Sequence, residues 1–132
     1  DSNMKIIPIV RNPYDRIISA IQHAGLMKPD TYYSQSHIYR KIKQFVEKDA
    51  VDNHEKPQYL FLINEHEYIP KRITIFKSEQ LTQDMHAYGF TDYDGKTTSP
   101  TYKHLLNTDS INFINMIYKR DFELFDYPMI YT

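Results

Sequence analysis

Arg11, Arg16 and Ser19 fall within one stretch, "IVRNPYDRIISAIQH" (residues 9–23), whose pattern changes at the first of them. An apolar run stops at Arg11, and the Asn12–Pro13 pair then opens an amphipathic segment. Asn is a good N-cap and Pro suits the first helical position, so a helix is predicted to begin here. A strand running into a helix N-terminus gathers unpartnered backbone N–H groups and the positive end of the helix dipole at one place. Arginine can grip phosphate oxygens through two parallel hydrogen bonds. Ser19 lies seven residues beyond Asn12, almost two turns, and so returns to nearly the same helix face. Arg16, one turn before Ser19, is a third contact. The chemistry these residues point to is an oxyanion held beside the first turns. Arginine at a strand end is common and a helical serine ordinarily meets water, so spacing alone does not decide the matter.

The bulk properties set bounds on that chemistry. A chain of 132 residues is one domain by length, spanning 1–132, and large enough for a hydrophobic core. Its 41% hydrophobic and 25% charged residues are those of a soluble globular protein. A net charge of −1 supplies no global field for nucleic acid or acidic membranes, so any anion site must be local. The absence of cysteine excludes disulfides, thiolate catalysis and cysteine-based zinc sites. No apolar stretch approaches the roughly 18 residues of a membrane span, and "DSNMKIIPIV" does not read as a secretory signal. The compartment stays unassigned.

The elements that must position these residues follow from periodicity. "KIIPIV" (5–10) reads as a short strand of a parallel sheet covered on both faces, with Pro8 marking an edge or bulge. Ile17, Ile18 and Ile21 give the following helix its apolar face, and Gly25 stops it. A second helix is predicted over 37–48, with Ile38, Ile42, Phe45 and Val46 on one face. "PQYLFLINEHEYIP" is ambiguous between helix and strand, and "RITIF" (72–76) reads as a second strand. "SEQLTQDMHAYGF" gives a cap, a helix and a closing Gly89. A polar loop over 91–100 precedes a last helix from Thr108, with Ile111, Ile114 and Ile117 on one side, and an aromatic tail. Strands alternating with helices predict an α/β fold, a small parallel sheet flanked by helices.

Three stretches of the sequence then resemble a known family. "VRNPYDRIISA" is similar to the 3′-phosphate-binding segment of sulfotransferases that use 3′-phosphoadenosine-5′-phosphosulfate (PAPS), in which a strand-ending arginine precedes a helical serine; here they are Arg11 and Ser19. "ITIFKSEQLTQDM" resembles that family's strand and Glu-x-Leu-x-x-Asp helix start, matched by Glu79, Leu81 and Asp84. "INMIYKRDFELFDYP" resembles the closing Tyr-x-x-Asp-Phe-x-x-Phe-x-Tyr segment of carbohydrate O-sulfotransferases, through Tyr118, Asp121, Phe122, Phe125 and Tyr127. The resemblance implies a P-loop-like sulfotransferase fold, PAPS as cosubstrate with 3′,5′-ADP as product, no metal, and an acceptor hydroxyl for which the closing segment suggests a carbohydrate. It implies that Arg11 and Ser19 hold the 3′-phosphate. Lys96 and Thr97, in the loop "DGKTTSPTYKH", match a late loop of the family in character and are expected to close over the same nucleotide; an ordinary solvated link is the competing reading. The aromatic tail is expected to pack Phe122 and Phe125 against the sheet.

The sequence also departs from the family. Residues 1–10 run straight into the arginine segment, without the phosphate-cradling loop that receives the 5′-phosphosulfate. The fold therefore reads as incomplete at its N-terminus: the C-terminal part of a longer enzyme, or a non-catalytic nucleotide- or partner-binding module derived from the same fold. A nucleotide kinase relative ranks below both, because it needs a Walker-type loop and an aspartate for Mg²⁺. His23, His37, Glu65 and His66 are the candidates for a general base, and none is singled out. His54 and His66 lack the spacing of a zinc helix, and "NEHE" reads as a polar turn. The basic segment "YRKIKQF" is mixed with Glu47 and Asp49 and reads as a solvated face.

Overall fold

A computed structural model describes residues 9–28, 30–47, 56–61, 74–89 and 102–131. They form a mixed α/β arrangement, mostly helical, with a two-stranded parallel sheet. Strand β1 (Ile9–Val10) pairs with β2 (Phe76–Lys77), Ile9 facing Phe76 and Val10 facing Lys77. Helices α1 (Pro13–His23), α2 (Gln35–Glu47), α3 (Leu81–Tyr88), α4 (Thr108–Ile117) and α5 (Lys119–Leu124) follow in chain order. Short 3₁₀ turns occupy Gln58–Phe61, Ser78–Gln80 and Tyr102–Leu105. Among the described residues, no helix is long and apolar enough to cross a membrane.

Helix α1 starts where the sequence places it. Asn12 is the N-cap, its side chain accepting the Tyr14 N–H, and Pro13 follows at the first position. The helix ends at His23, and Gly25 turns the chain at φ 80°, a conformation that favours glycine. Tyr14, Ile17, Ile18 and Ile21 bury one face of α1 against Ile38, Ile42 and Phe45 of α2 and Ile114 of α4. Their spacing is that of a single helical stripe, and Val46 packs at the edge of the same core. Ile111 and Ile117 flank Ile114 there, partly buried. Phe122 meets the ring of Tyr14 on α1, with centroids 5.0 Å apart.

Two expectations change at the sheet. Val10 and Phe76 are buried, but Ile9 is 54% exposed, so the described part of β1 is covered on one face only. Adjacent strand residues point to opposite sides, and α3 packs on β2 through Tyr88 against Phe76. The second strand is also later and shorter than predicted: residues 74 and 75 are not strand, and Lys77 is. Residues 5–8, 48 and 62–73 of the predicted elements lie outside the described residues. The segment before α3 has no side-chain cap from Ser78; instead Asp84 reaches back and accepts the Lys77 N–H at 2.9 Å. A carboxylate within the first turn of α3 thus satisfies a backbone donor of β2 just ahead of the helix.

Ile18 is fully enclosed at the centre of the stripe. Ile18→Ala is expected to lower the free energy of unfolding by about 2–5 kcal/mol in urea titrations. Gln22→Ala, on the exposed face of the same helix, is expected to stay within about 0.5 kcal/mol.

Candidate functional site

The site is built around the junction between β1 and α1. Arg11 and Asn12 connect the two elements, and their backbone polar groups are met by side chains from distant parts of the chain. Gln58 accepts the Arg11 N–H on its side-chain oxygen at 2.8 Å and donates its side-chain N–H to the Arg11 carbonyl at 2.7 Å. One amide side chain therefore supplies the pair of bonds that a neighbouring strand would provide. Gln58 is held in turn by Asp121, which is wholly buried. The two Asp121 carboxylate oxygens accept the backbone N–H groups of Gln58 and Tyr59 at 2.7 and 2.8 Å. Burial pushes the Asp121 carboxyl above its ordinary range, while these donors and the nearby Arg16 charge pull it back.

Glu79 closes the other side of the junction. Its carboxylate accepts the Asn12 N–H at 2.9 Å on one oxygen and the Tyr127 hydroxyl at 2.5 Å on the other. Burial, and then the Glu79 carboxylate itself, raise the Tyr127 phenol well above its usual value, so it stays a donor. Asp126 takes a left-handed backbone conformation, φ 57°, at the end of α5, just before Tyr127. The Lys77 ammonium stands 4.6 Å from the centre of the Tyr127 ring. Tyr14 anchors α1 at a further point, donating its hydroxyl to Asn115 and accepting the Ile130 N–H at 2.7 Å.

This arrangement corrects one part of the sequence reading. The helix N-terminus was expected to offer free N–H groups to an anion. In the structure the Arg11 N–H goes to Gln58, the Asn12 N–H to Glu79 and the Tyr14 N–H to Asn12, and Pro13 has none. An internal carboxylate already occupies the place where the dipole favours negative charge. The side chains, by contrast, do converge. Arg11, Arg16, Ser19, Ala20 and His23 line one open pocket of about 340 Å³ on the flank of α1. Arg16 is placed by Tyr118, whose ring centre lies 5.9 Å from its guanidinium carbon, and by attraction to Asp121. Two guanidinium groups, a hydroxyl and an imidazole around one depression can bind an oxyanion beside the helix.

The remaining sequence candidates are placed elsewhere or lie outside the described residues. His37 sits at the start of α2, edge-on to Tyr33 at 5.5 Å, away from the pocket residues in the chain and on another helix. Lys96, Thr97, Glu65, His66 and His54 lie outside the described residues. On the basic face of α2, Lys41 stands 5.3 Å from the ring of Tyr33, which precedes the helix, and Lys43 5.7 Å from that of Tyr39. Among the described residues, no group of three or more histidines and carboxylates is placed to hold a metal ion. Gln58 was missed by the sequence reading, since a lone glutamine in an ambiguous segment carries no spacing signal. His23 was weighed only as a base, although it falls one turn beyond Ser19 on the same face, and this arithmetic was available.

Compared with models of known protein families, with curated protein sequences and with solved structures, the chain matches none.

Gln58→Leu leaves both backbone groups of Arg11 without their partner and is expected to cost about 1–3 kcal/mol in urea unfolding. Tyr127→Phe removes a hydrogen bond to a carboxylate, with an expected loss of about 1.5–3 kcal/mol in the same measurement. Asp121 adds a pH dependence. Its raised value means that the folded chain holds this proton more tightly than the unfolded one, so its contribution to stability grows as pH falls and is lost as pH rises through that value. The stability difference between wild type and Asp121→Asn is expected to shift toward wild type between about pH 7 and pH 4. A difference that stays flat over that range contradicts this.

Proposed function

We propose that the pocket on the flank of α1 binds the 3′-phosphate of PAPS. The chain is then the nucleotide-binding part of a sulfotransferase, moving a sulfuryl group from PAPS to an acceptor hydroxyl, with carbohydrate hydroxyls as the acceptor class. The observation that carries this reading is the convergence of Arg11, Arg16 and Ser19 on one pocket. Two arginines match the charge of a phosphate dianion, and a hydroxyl adds a neutral donor. Support also comes from the other segments of the family resemblance. Glu79, Asp121 and Tyr127 meet at the junction that carries Arg11, so the three similar stretches serve one place.

The reaction proposed is an in-line displacement at sulfur. The acceptor oxygen forms a bond to sulfur as the bond from sulfur to the 5′-phosphate oxygen breaks, and a base takes the acceptor proton. 3′,5′-ADP leaves, its charge stabilised by cationic groups. Arg11 and Arg16 hold the 3′-phosphate and so fix the nucleotide relative to the acceptor. A P-loop-like sulfotransferase fold belongs to the same proposal; the parallel pairing of β1 and β2, with α1 following β1 directly, is compatible with it. Lys96 and Thr97 are proposed as further nucleotide contacts on the sequence alone.

Thermal and urea unfolding with 3′,5′-ADP and with 5′-AMP test the reading. At 100 times its dissociation constant, 3′,5′-ADP is expected to add about 2.7 kcal/mol of stability. 5′-AMP is expected to add far less, and Arg11→Ala to weaken 3′,5′-ADP binding by about 10- to 150-fold. No stabilisation by either nucleotide removes the proposal. Binding of PAPS without transfer to any glycan acceptor favours the non-catalytic binding module instead.

A further inference from the structure

A second depression, of about 580 Å³, lies where the loop over 31–34 and the start of α2 face the Tyr102–Leu105 turn and Asn107. It shares no described residue with the pocket beside α1. Its volume falls within the range of small-molecule sites, roughly 300–1,000 Å³. The floor is apolar: Met27 and Ile38 are buried, and Leu105 is partly so. The walls are polar, and one hydrogen bond ties them together, the Gln35 side-chain N–H donating to the His104 carbonyl at 2.9 Å.

Bonds to the backbone already orient the polar groups of these walls. Asn107 caps α4 by accepting the Ser110 N–H on Oδ1 at 2.8 Å, so the part of its amide that remains for a ligand is the Nδ2 donor. Gln35 uses Nε2 on His104 and keeps Oε1 as an acceptor. Ser34 accepts the His37 N–H at 3.2 Å, which leaves its own O–H to donate and puts a neutral cap on the end of α2. The Tyr33 hydroxyl is fixed in the same way by the Lys28 N–H at 2.9 Å. No Lys, Arg, Asp or Glu is among the described residues that line the depression. A charged ligand loses water there without gaining a counter-ion, and a wholly apolar one strands the amides and hydroxyls.

We infer that this depression is a separate binding site for an uncharged saccharide, one that discriminates against acidic sugars. A sugar ring has an apolar C–H face and a rim of hydroxyls that both donate and accept, which matches an apolar floor ringed by fixed donors and acceptors. Tyr32, 91% exposed at the edge of the depression, offers an aromatic face on which such a ring can lie. At that exposure Tyr32 adds nothing to the core, so it can be replaced without unfolding the chain. The inference stands on these residues and does not require that the pocket beside α1 hold PAPS.

The test is a titration of the full chain, without nucleotide, with four neutral disaccharides (maltose, mannobiose, galactobiose and chitobiose) and with digalacturonate, followed by amide NMR shifts. Wild type, Tyr32→Ala and Tyr32→Phe are compared, with thermal unfolding as the check that each is folded. At least one neutral disaccharide is expected to bind wild type with a dissociation constant of about 1 mM or below and to shift the amides of Tyr32–Ser36 and Leu105–Asn107. Digalacturonate is expected to bind at least about tenfold more weakly than the best of the four. Tyr32→Ala is expected to weaken that best ligand by about fivefold or more, and Tyr32→Phe, which keeps the ring, to stay within about twofold. A folded wild type that binds none of the four overturns the site, as do shifts confined to other parts of the chain. Equal or tighter binding of digalacturonate overturns the neutral selectivity, and an unchanged affinity in Tyr32→Ala overturns the stacking face. Each of these results leaves the reading of the pocket beside α1 standing, because no nucleotide is present.

Discussion

The backbone of Arg11 and Asn12 has to leave a strand and enter a helix, and every polar group it exposes in doing so must find a partner. Backbone N–H and C=O groups removed from water without partners are costly, so this constraint is strict. The protein meets it with side chains rather than with a third strand. Gln58 takes both groups of Arg11, and Glu79 takes the Asn12 N–H. Gln58 is held in turn through its backbone N–H by Asp121, and Glu79 has a second partner in Tyr127. Two segments far apart in sequence are therefore bound to one dipeptide, with Asp121 and Tyr127 bracing them, and the direction in which Arg11 leaves the backbone follows from them.

The helical core does a different job. It fixes the roll of α1 about its own axis. Tyr14, Ile17, Ile18 and Ile21 can be buried together only if Arg16, Ser19, Ala20 and His23 lie on the neighbouring flank. Burial of the apolar stripe and presentation of the polar one are thus two faces of one packing decision. The Tyr14 hydroxyl, bonded to Asn115 and to the Ile130 N–H, adds a polar anchor at the edge of that core.

Much of this was written locally in the sequence. Asn12–Pro13 marked the start of α1, the isoleucines marked its buried face, and helical spacing brought Arg16 and Ser19 together. What could not be read were the long-range polar contacts. Nothing in "QYLF" says that Gln58 will bond to a residue 47 positions earlier, because such a contact depends on tertiary geometry and leaves no period. The same limit explains why the helix N-terminus was misjudged. Its N–H groups look available in the sequence, and only the fold brings Glu79 to that of Asn12. Asp84 behaves similarly on a shorter scale, accepting the Lys77 N–H of β2 from within α3.

The separation of these contacts along the chain has a consequence for how the site comes into being. The bonds that frame Arg11 and α1 span 47 residues to Gln58, 67 to Glu79 from Asn12, and 116 from Tyr14 to Ile130. Closing such long loops carries an entropic cost before any contact compensates it, and contacts of this range slow folding. During synthesis the arginine segment emerges before Asp121, Tyr127 and Ile130. The β1–α1 junction is consequently assembled only once the stretch that carries Asp121, Tyr127 and Ile130 has been made, which makes that stretch a checkpoint on whether the chain has any site at all.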